Sequence, residues 1–467
     1  MHTASQESVL SSASIGRLMV RFALPSITAQ VVNILYSVVD RIYIGHLPDG
    51  ASLALTGIGV CYPILTVISA FSLFAGSGGA PLAAIQLGKS EHDSAARARA
   101  ESILGNSFFL LLVFSVLLTT GFLIFRRPVL FAFGASAATI PYAESYLSVY
   151  LLGTVFVQIS VGLNPFINAQ GRVRTAMLST VIGAAANIIL DPLFIFVFGL
   201  GVKGAAIATV ISQAMSAAWI LIFLSSKKSA LRLRPAIVRF KASVAAKIAS
   251  LGISPFIMAA TESAVSVVFN SGLQKHGGDI YLGAMTILQS LMQMCYVPIQ
   301  GFTDGIQPLI SYNYGAEKFT RVRTLIRRMT AVSFAASCIS FAVLNAFPRL
   351  FVSIFSGSSG LVALTVRLLP VYCGAVWIFG LQMGAQRTFV GLGRAGTSIV
   401  VALLRKVILL IPLALILPHF TGVEGIFLAE PAASTISAVT SGILLVLCYR
   451  KLPRTDGNGT NRSKATV

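Results

Sequence analysis

The sequence is a near-continuous series of apolar stretches, each about 20 residues or longer, separated by short polar connectors. A bilayer's hydrocarbon core is about 30 Å thick, so a helix rising 1.5 Å per residue needs about 20 residues to cross it. Lipid offers no hydrogen bonds to the backbone, so such stretches must satisfy their own N–H and C=O groups by folding as helices. The runs fall at residues 18–44, 51–80, 102–125, 138–168, 173–198 and 204–224, then 248–274, 281–312, 329–350, 361–391, 396–418 and 425–449. The sequence therefore predicts an all-α membrane protein of twelve transmembrane helices. Only 11% of the residues are charged, against roughly 25% in soluble domains, which argues against a string of soluble domains. Met1–Ser14 is polar, and the apolar run after it is too long for a secretory signal and lacks a small-residue cleavage site, so no cleaved signal is expected.

A net charge of +20 raises the question of nucleic acid. The basic residues, however, sit in short connectors with no large basic domain to receive a duplex, so no nucleic-acid partner is expected. They read instead as membrane orientation. With both termini cytoplasmic, the cytoplasmic side takes Arg17 and Arg21, then Lys89, Arg97 and Arg99, then Arg172 and Arg174. It also takes the clusters Lys227–Lys247 and Lys318–Arg328, then Arg394, Arg405 and Lys406, and the basic residues from Arg450 onward. The outer side receives only Arg41, Arg126, Arg127, Lys203, Lys275, Arg349 and Arg367, with Arg387 left inside its helix. This asymmetry predicts a multi-pass protein of the plasma or inner membrane with both termini inside. The sequon Asn458-Gly-Thr460 then lies in the cytoplasm and reads as chance. The five cysteines are isolated in or beside apolar runs, with no metal or redox spacing, and read as small buried residues.

The longest polar connector, near the midpoint, divides the chain into two six-helix lobes: residues 1–225, a basic linker at 226–247, and 248–467. The halves match one another. Pro25, Ile27, Ala29 and Val38 recur as Pro255, Ile257, Ala259 and Val268, all 230 positions later. Pro81, Leu82 and Gly88 recur as Pro308, Leu309 and Gly315, 227 later; Val149-Tyr150 and Gly171-Arg172 as Val371-Tyr372 and Gly393-Arg394, 222 later; Gly201 and Gly204 as Gly422 and Gly425, 221 later. An even number of helices per half gives both halves one orientation, a parallel repeat of the kind secondary transporters use.

Two carboxylates interrupt apolar runs in the first half. Each costs about 2.5–3.5 kcal/mol on insertion scales and marks function by default. Asp40 lies within the run Ala29–Ile44, and Asp191 within Ala184-Ala-Ala-Asn187-Ile-Ile-Leu-Asp191-Pro192. Both lie in the outer half of outward-running helices. Tyr36 sits one turn before Asp40, Asn187 one turn before Asp191 on the same face, and Thr209 stands at a compatible depth in the next helix. Two carboxylates, an amide oxygen and a hydroxyl form a hard oxygen set suited to Na⁺ at Asp40, Asn187, Asp191 and Thr209, or to protons shared between the acids. The alternative for Asp40 is an interfacial side chain paired with Arg41. Under the repeat, Asp40 falls on Asn270 and Asp191 on Ile411, Pro412 or Leu413, so neither acid has an acidic counterpart and the chemistry is expected in one lobe only.

Glu262, alone in Ala-Ala-Thr-Glu-Ser-Ala, either lines a substrate cavity or hydrogen-bonds within its lobe. Gln289 and Gln293, one turn apart near Met285, Met292 and Met294, and Asn33 in the first helix are further cavity candidates, although methionines at such spacing are more often packing. The cluster Ala75-Gly-Ser-Gly-Gly-Ala-Pro81 lacks the Lys and preceding strand of a phosphate loop and reads as a close-packing helix face.

Leu24-Pro25, Tyr36, Asp40, Pro81 with Gly88, Asn187-Ile-Ile-Leu-Asp191-Pro192 and Gly201-Val-Lys-Gly204-Ala-Ala together resemble the multidrug and toxic compound extrusion family over residues 15–450. The resemblance is to the branch whose acidic cation site lies in the N-terminal lobe. It implies coupling roles for Tyr36, Asp40, Asn187, Asp191 and Thr209, and a helix-kinking role for Pro25. A second branch uses acids of the seventh and tenth helices; here Glu262 is present, but Gln382 and Gln386 stand in the tenth. The expected function is a secondary antiporter that exports amphipathic, cationic compounds, driven by inward Na⁺ or H⁺, through rocking of the lobes. It needs no cofactor, works as a monomer in contact with lipid, and is not an enzyme. The alternatives are a lipid-linked saccharide flippase, disfavoured because buried basic residues besides Arg387 are few, and an uncoupled channel or receptor.

Overall fold

A computed structural model of the chain describes residues 13–45, 51–277, 279–355 and 359–456. The sequon at Asn458 lies outside these residues, as do the side chains of Arg41, Asn270 and Lys275. Among the described residues every regular element is helical. Ten helices are long and apolar enough to cross a bilayer, and two pairs bent by 59° and 49° bring the total to twelve crossings if each pair is one. In chain order these are Ile15–Tyr36 (within helix Ile15–Gly45), Gly57–Lys89, Ser94–Ile124, Ile140–Leu152 with Thr154–Ala169, Val173–Val197 and Gly201–Ser225. The second set is Ala242–Ser266 (within helix Ala242–His276), Ile280–Gly315, Phe319–Ala346, Ser359–Tyr372 with Val376–Gly391, Ala395–Thr421 and Glu424–Lys451. They are numbered below as the first to twelfth spans.

The chain forms two compact units, one built from Thr28–Ala259 and the other from Ser14–Ile27 with the chain from Ala260 onward. The first and seventh helices are thus each shared. In unit 1 the N-terminal part of the seventh helix packs glycine to backbone: a Cβ on Gly78 would strike the Ile248 carbonyl, and one on Gly252 the Phe74 carbonyl. In unit 2 the N-terminal part of the first helix does the same, with Gly301 against the Cα of Ile27 and Gly305 against the carbonyl of Phe22. Gly76 and Gly79 are pressed against Gly162 and Ser107, so the glycine cluster is a helix-packing face.

The connector between the halves is pinned to unit 1. The Gln170 side-chain oxygen accepts from Ser229 Oγ, Ala230 N and Leu231 N at 2.8, 2.7 and 3.1 Å. Arg97 donates to the Ala230 carbonyl at 3.0 Å, and Asn106 Oδ1 accepts from Lys241 N at 2.7 Å.

The duplication recurs in hydrogen bonds. Asn164 Nδ2 donates to the Ala176 carbonyl at 2.9 Å, and Gln386 Nε2 donates to the Ser398 carbonyl at 3.3 Å, donors and acceptors both 222 positions apart. Gly171 and Gly393 both take positive φ (79° and 72°), which glycine adopts without a Cβ penalty, as they end the fourth and tenth spans.

Two basic residues counted with the connectors are buried instead: Arg405 and Lys406 are each 7% exposed, inside a π-helical stretch, Leu404–Leu410, of the eleventh span. They are held there by acids far away in sequence, which a count of basic residues along the chain does not register.

Candidate cation-coupling site

Unit 1 brings together the oxygen set of the first, fifth and sixth spans. Asn187 and Asp191 lie one turn apart on the fifth, and Asn187 Nδ2 donates to Asp191 Oδ1 at 3.1 Å. The same amide approaches Thr209 Oγ1 at 3.5 Å, tying the fifth span to the sixth. Asn187 and Asp191 are fully buried and Thr209 is 2% exposed. Asn187 Oδ1 and Asp191 Oδ2 are buried with no hydrogen-bond partner in the protein. Orphaned buried oxygens are rare, and each calls for an explanation. Two acceptors without a donor are what a cation or a proton would satisfy.

Pro192 ends the α-helical part of the fifth span, and the chain continues as a π-helical turn, Leu193–Val197. Proline has no N–H to continue the ladder, and π turns cluster at functional sites. The return into the sixth span is tight. A Cβ on Gly204 would come 2.5 Å from the Phe194 carbonyl oxygen, so only glycine lets the two backbones approach closely enough to set Thr209 beside Asn187.

Asp40, half-buried in the helix Ile15–Gly45, faces Asp191 within side-chain hydrogen-bonding reach. Tyr36, one turn earlier, is also half-buried. Both lie within electrostatic reach of Tyr146, a buried residue of the fourth span that stacks on Tyr150 with centroids 6.0 Å apart. Sequence reasoning missed Tyr146. The repeat does not mark it, since at the 222 offset Tyr146 falls on Leu368. Pro25 is buried but belongs to unit 2 in an unbroken helix, about four turns from Asp40, and so is not among the residues gathered here.

Unit 2 holds buried charge of its own. Arg405 pairs with Glu430 of the twelfth span at 2.8 Å, and Ser434 Oγ donates to the same carboxylate oxygen at 3.0 Å. Lys406 pairs with Glu262 at 2.8 Å, and Arg387 with Asp304 at 2.6 Å. Glu262 thus hydrogen-bonds within its unit, although its side chain remains 56% exposed. Buried basic side chains are more numerous than the argument against a flippase assumed. Each is committed to a carboxylate, however, so they do not form an open anion-binding set. Gln289 and Gln293 are exposed on the eighth span of unit 2, while the nearby Met285 and Met292 are buried as packing. Asn33 is exposed on the first helix in unit 1.

Comparison with known proteins agrees with this architecture. The chain is 26% identical to the multidrug export protein MepA of Staphylococcus haemolyticus, over 91% of this chain and 92% of that protein. It is 25% identical to MepA of Staphylococcus saprophyticus, over 94% and 95%. Among solved structures, one described as MATE in the bent conformation superposes with a TM-score of 0.87 at 20% identity, over 95% of this chain and 97% of that one. An outward-facing multidrug resistance MATE family transporter superposes with a TM-score of 0.84 at 21% identity, over 93% and 95%. The MatE family profile matches residues 25–193 and 255–416, one block in each half of the repeat. The chain belongs to the MatE family.

Proposed function

We propose that this protein is a secondary active exporter of amphipathic, cationic compounds, driven by inward Na⁺ or H⁺ taken up at Asp40, Asn187, Asp191 and Thr209. The observation that carries this reading is the pair of orphaned buried oxygens on Asn187 and Asp191, with Asp40 facing them. The names of the MepA relatives supply the substrate class, multidrug export. In this scheme the protein lies in the plasma membrane with both termini in the cytoplasm, as the basic connectors direct, and it acts as a monomer.

The mechanism follows from charge. Two carboxylates facing one another out of water repel, and a bound proton or Na⁺ relieves that repulsion. Asn187 holds Asp191 through Nδ2 and leaves its own carbonyl oxygen for the ion, while Thr209 offers a neutral oxygen. Loading from outside alters packing along the first helix and lowers affinity for bound substrate; rocking of the two lobes then releases the ion inside. Coupling requires that ion and substrate favour different states, and the exchange is reciprocal. Asp40→Asn and Asp191→Asn, expressed at wild-type levels, should each abolish ion-driven dye efflux. Efflux at the wild-type rate from both variants would overturn the assignment.

A further inference from the structure

The repeat gives the unit 1 site a specific counterpart residue within unit 2. Gly201-Val-Lys-Gly204-Ala-Ala-Ile-Ala-Thr209 aligns without a gap on Gly422-Val-Glu-Gly425-Ile-Phe-Leu-Ala-Glu430, so Thr209 corresponds to Glu430. In both units the second glycine makes the same close approach: Gly204 to the carbonyl of Phe194, Gly425 to that of Leu417. Each bent span also brings a buried tyrosine near its acid, Tyr146 near Asp40 and Tyr372 near Glu430, although the two are not at equivalent positions of the repeat. Unit 2 therefore has a carboxylate at a position where unit 1 has a hydroxyl. It also holds a cation: at the 221 offset Arg405 corresponds to Ala184, one turn before Asn187 on the same helix face, and its guanidinium reaches Glu430.

We propose that Glu430 marks a second cation site, the counterpart of the one in unit 1, permanently filled by the tethered guanidinium of Arg405. Unit 2 then binds no transported ion, and the ion count of the export cycle is set by unit 1. The inference rests on the coupling role proposed for unit 1. Arg405 suits the task because it stays charged at any working pH, whereas a lysine ammonium loses its proton more readily when buried. The groups facing Glu430 are Arg405 and Lys406 from the eleventh span, Ser434 on its own helix, Tyr296 from the eighth, and Tyr372 and Cys373 from the tenth. Lys406 is itself matched by Glu262. Two fixed cations balance two carboxylates, which leaves no charge for a mobile ion to compensate. The Arg405 guanidinium also lies over the ring of Phe379, 5.8 Å from its centroid, and Phe379 stacks on Tyr296 at 3.6 Å. The side chain is thus built into an aromatic wall.

Arg405→Met removes the tethered cation and leaves a buried carboxylate that must recruit a proton or Na⁺. The test counts cations per full-length protein in lipid nanodiscs, using ²²Na⁺ binding at pH 8 and proton uptake on a step from pH 8 to pH 6. Arg405→Met should take up one cation more than wild type. The gain should vanish in Arg405→Met/Glu430→Leu and persist when Asp191→Asn is added. A folded Arg405→Met with the wild-type count, or a gain that survives Glu430→Leu, overturns the proposal. If Arg405→Met does not fold, the double variant decides: efflux with wild-type ion dependence supports a purely resident cation, and lost ion dependence overturns it. Failure of the unit 1 reading is seen separately, as unchanged ion-driven efflux in Asp191→Asn alone.

Discussion

Asp191 accepts a side-chain hydrogen bond from Asn187 through Oδ1 and faces the carboxyl of Asp40. Asn187 therefore does two things, orienting the acid and offering its own oxygen. Asn187→Ala should keep the acid but lose both, raising the Na⁺ or H⁺ concentration for half-maximal efflux by about 10–100-fold, the range seen when groups orienting an ion's ligands are removed. A concentration series in vesicles reads this directly. At Glu430 the same physics acts on stability. Removing one partner of a buried ion pair costs about 3–5 kcal/mol, while replacing both with apolar residues is close to neutral. Arg405→Met should therefore melt well below Arg405→Met/Glu430→Leu in a thermal unfolding assay. The two sites differed in how far the sequence disclosed them. Asp40, Asn187 and Asp191 stood out because a carboxylate in an apolar run is costly and its neighbours one turn away are local. The burial of Arg405 and Lys406 was not legible, because their partners are 25 and 144 positions away. Tyr146 gave no local signal at all.

At the scale of the helix, glycines and a proline decide which side chains meet. Gly204 permits the tight return that sets Thr209 beside Asn187, and Gly252 lets the seventh helix lie against the second span. Gly252→Ala would drive a Cβ into backbone that cannot rotate away, and overpacking of this kind costs about 1–3 kcal/mol. Gly121→Ala, in the third span with open space around it, should instead be neutral or slightly stabilising, because alanine is the better helix former. Melting temperatures of the two variants test the contrast. The spans themselves were legible because each is a run of lipid-crossing length. The π-helical stretches at Leu193–Val197 and Leu404–Leu410 were not, since Pro192 marks a break but not the hydrogen-bond shift that follows it, and no residue pattern announces the second.

For the whole molecule, the duplication explains both the likeness of the halves and their difference. The repeat recovered corresponding hydrogen bonds 222 positions apart, yet the same register sets a hydroxyl, Thr209, against a carboxylate, Glu430. The division of the chain into units runs through the first and seventh helices and not through the polar connector, because glycine-to-backbone packing holds the N-terminal part of each of these helices within the other half of the chain. A hydropathy profile records length and polarity, not partners, and could not show this exchange. The central claim is that cations enter through unit 1 alone, and dye efflux from oriented vesicles, under separately imposed Na⁺ and pH gradients, tests it most directly. Wild-type protein should respond to at least one gradient, while Asp40→Asn and Asp191→Asn should respond to neither. Gradient-driven efflux at the wild-type rate in both variants would contradict it.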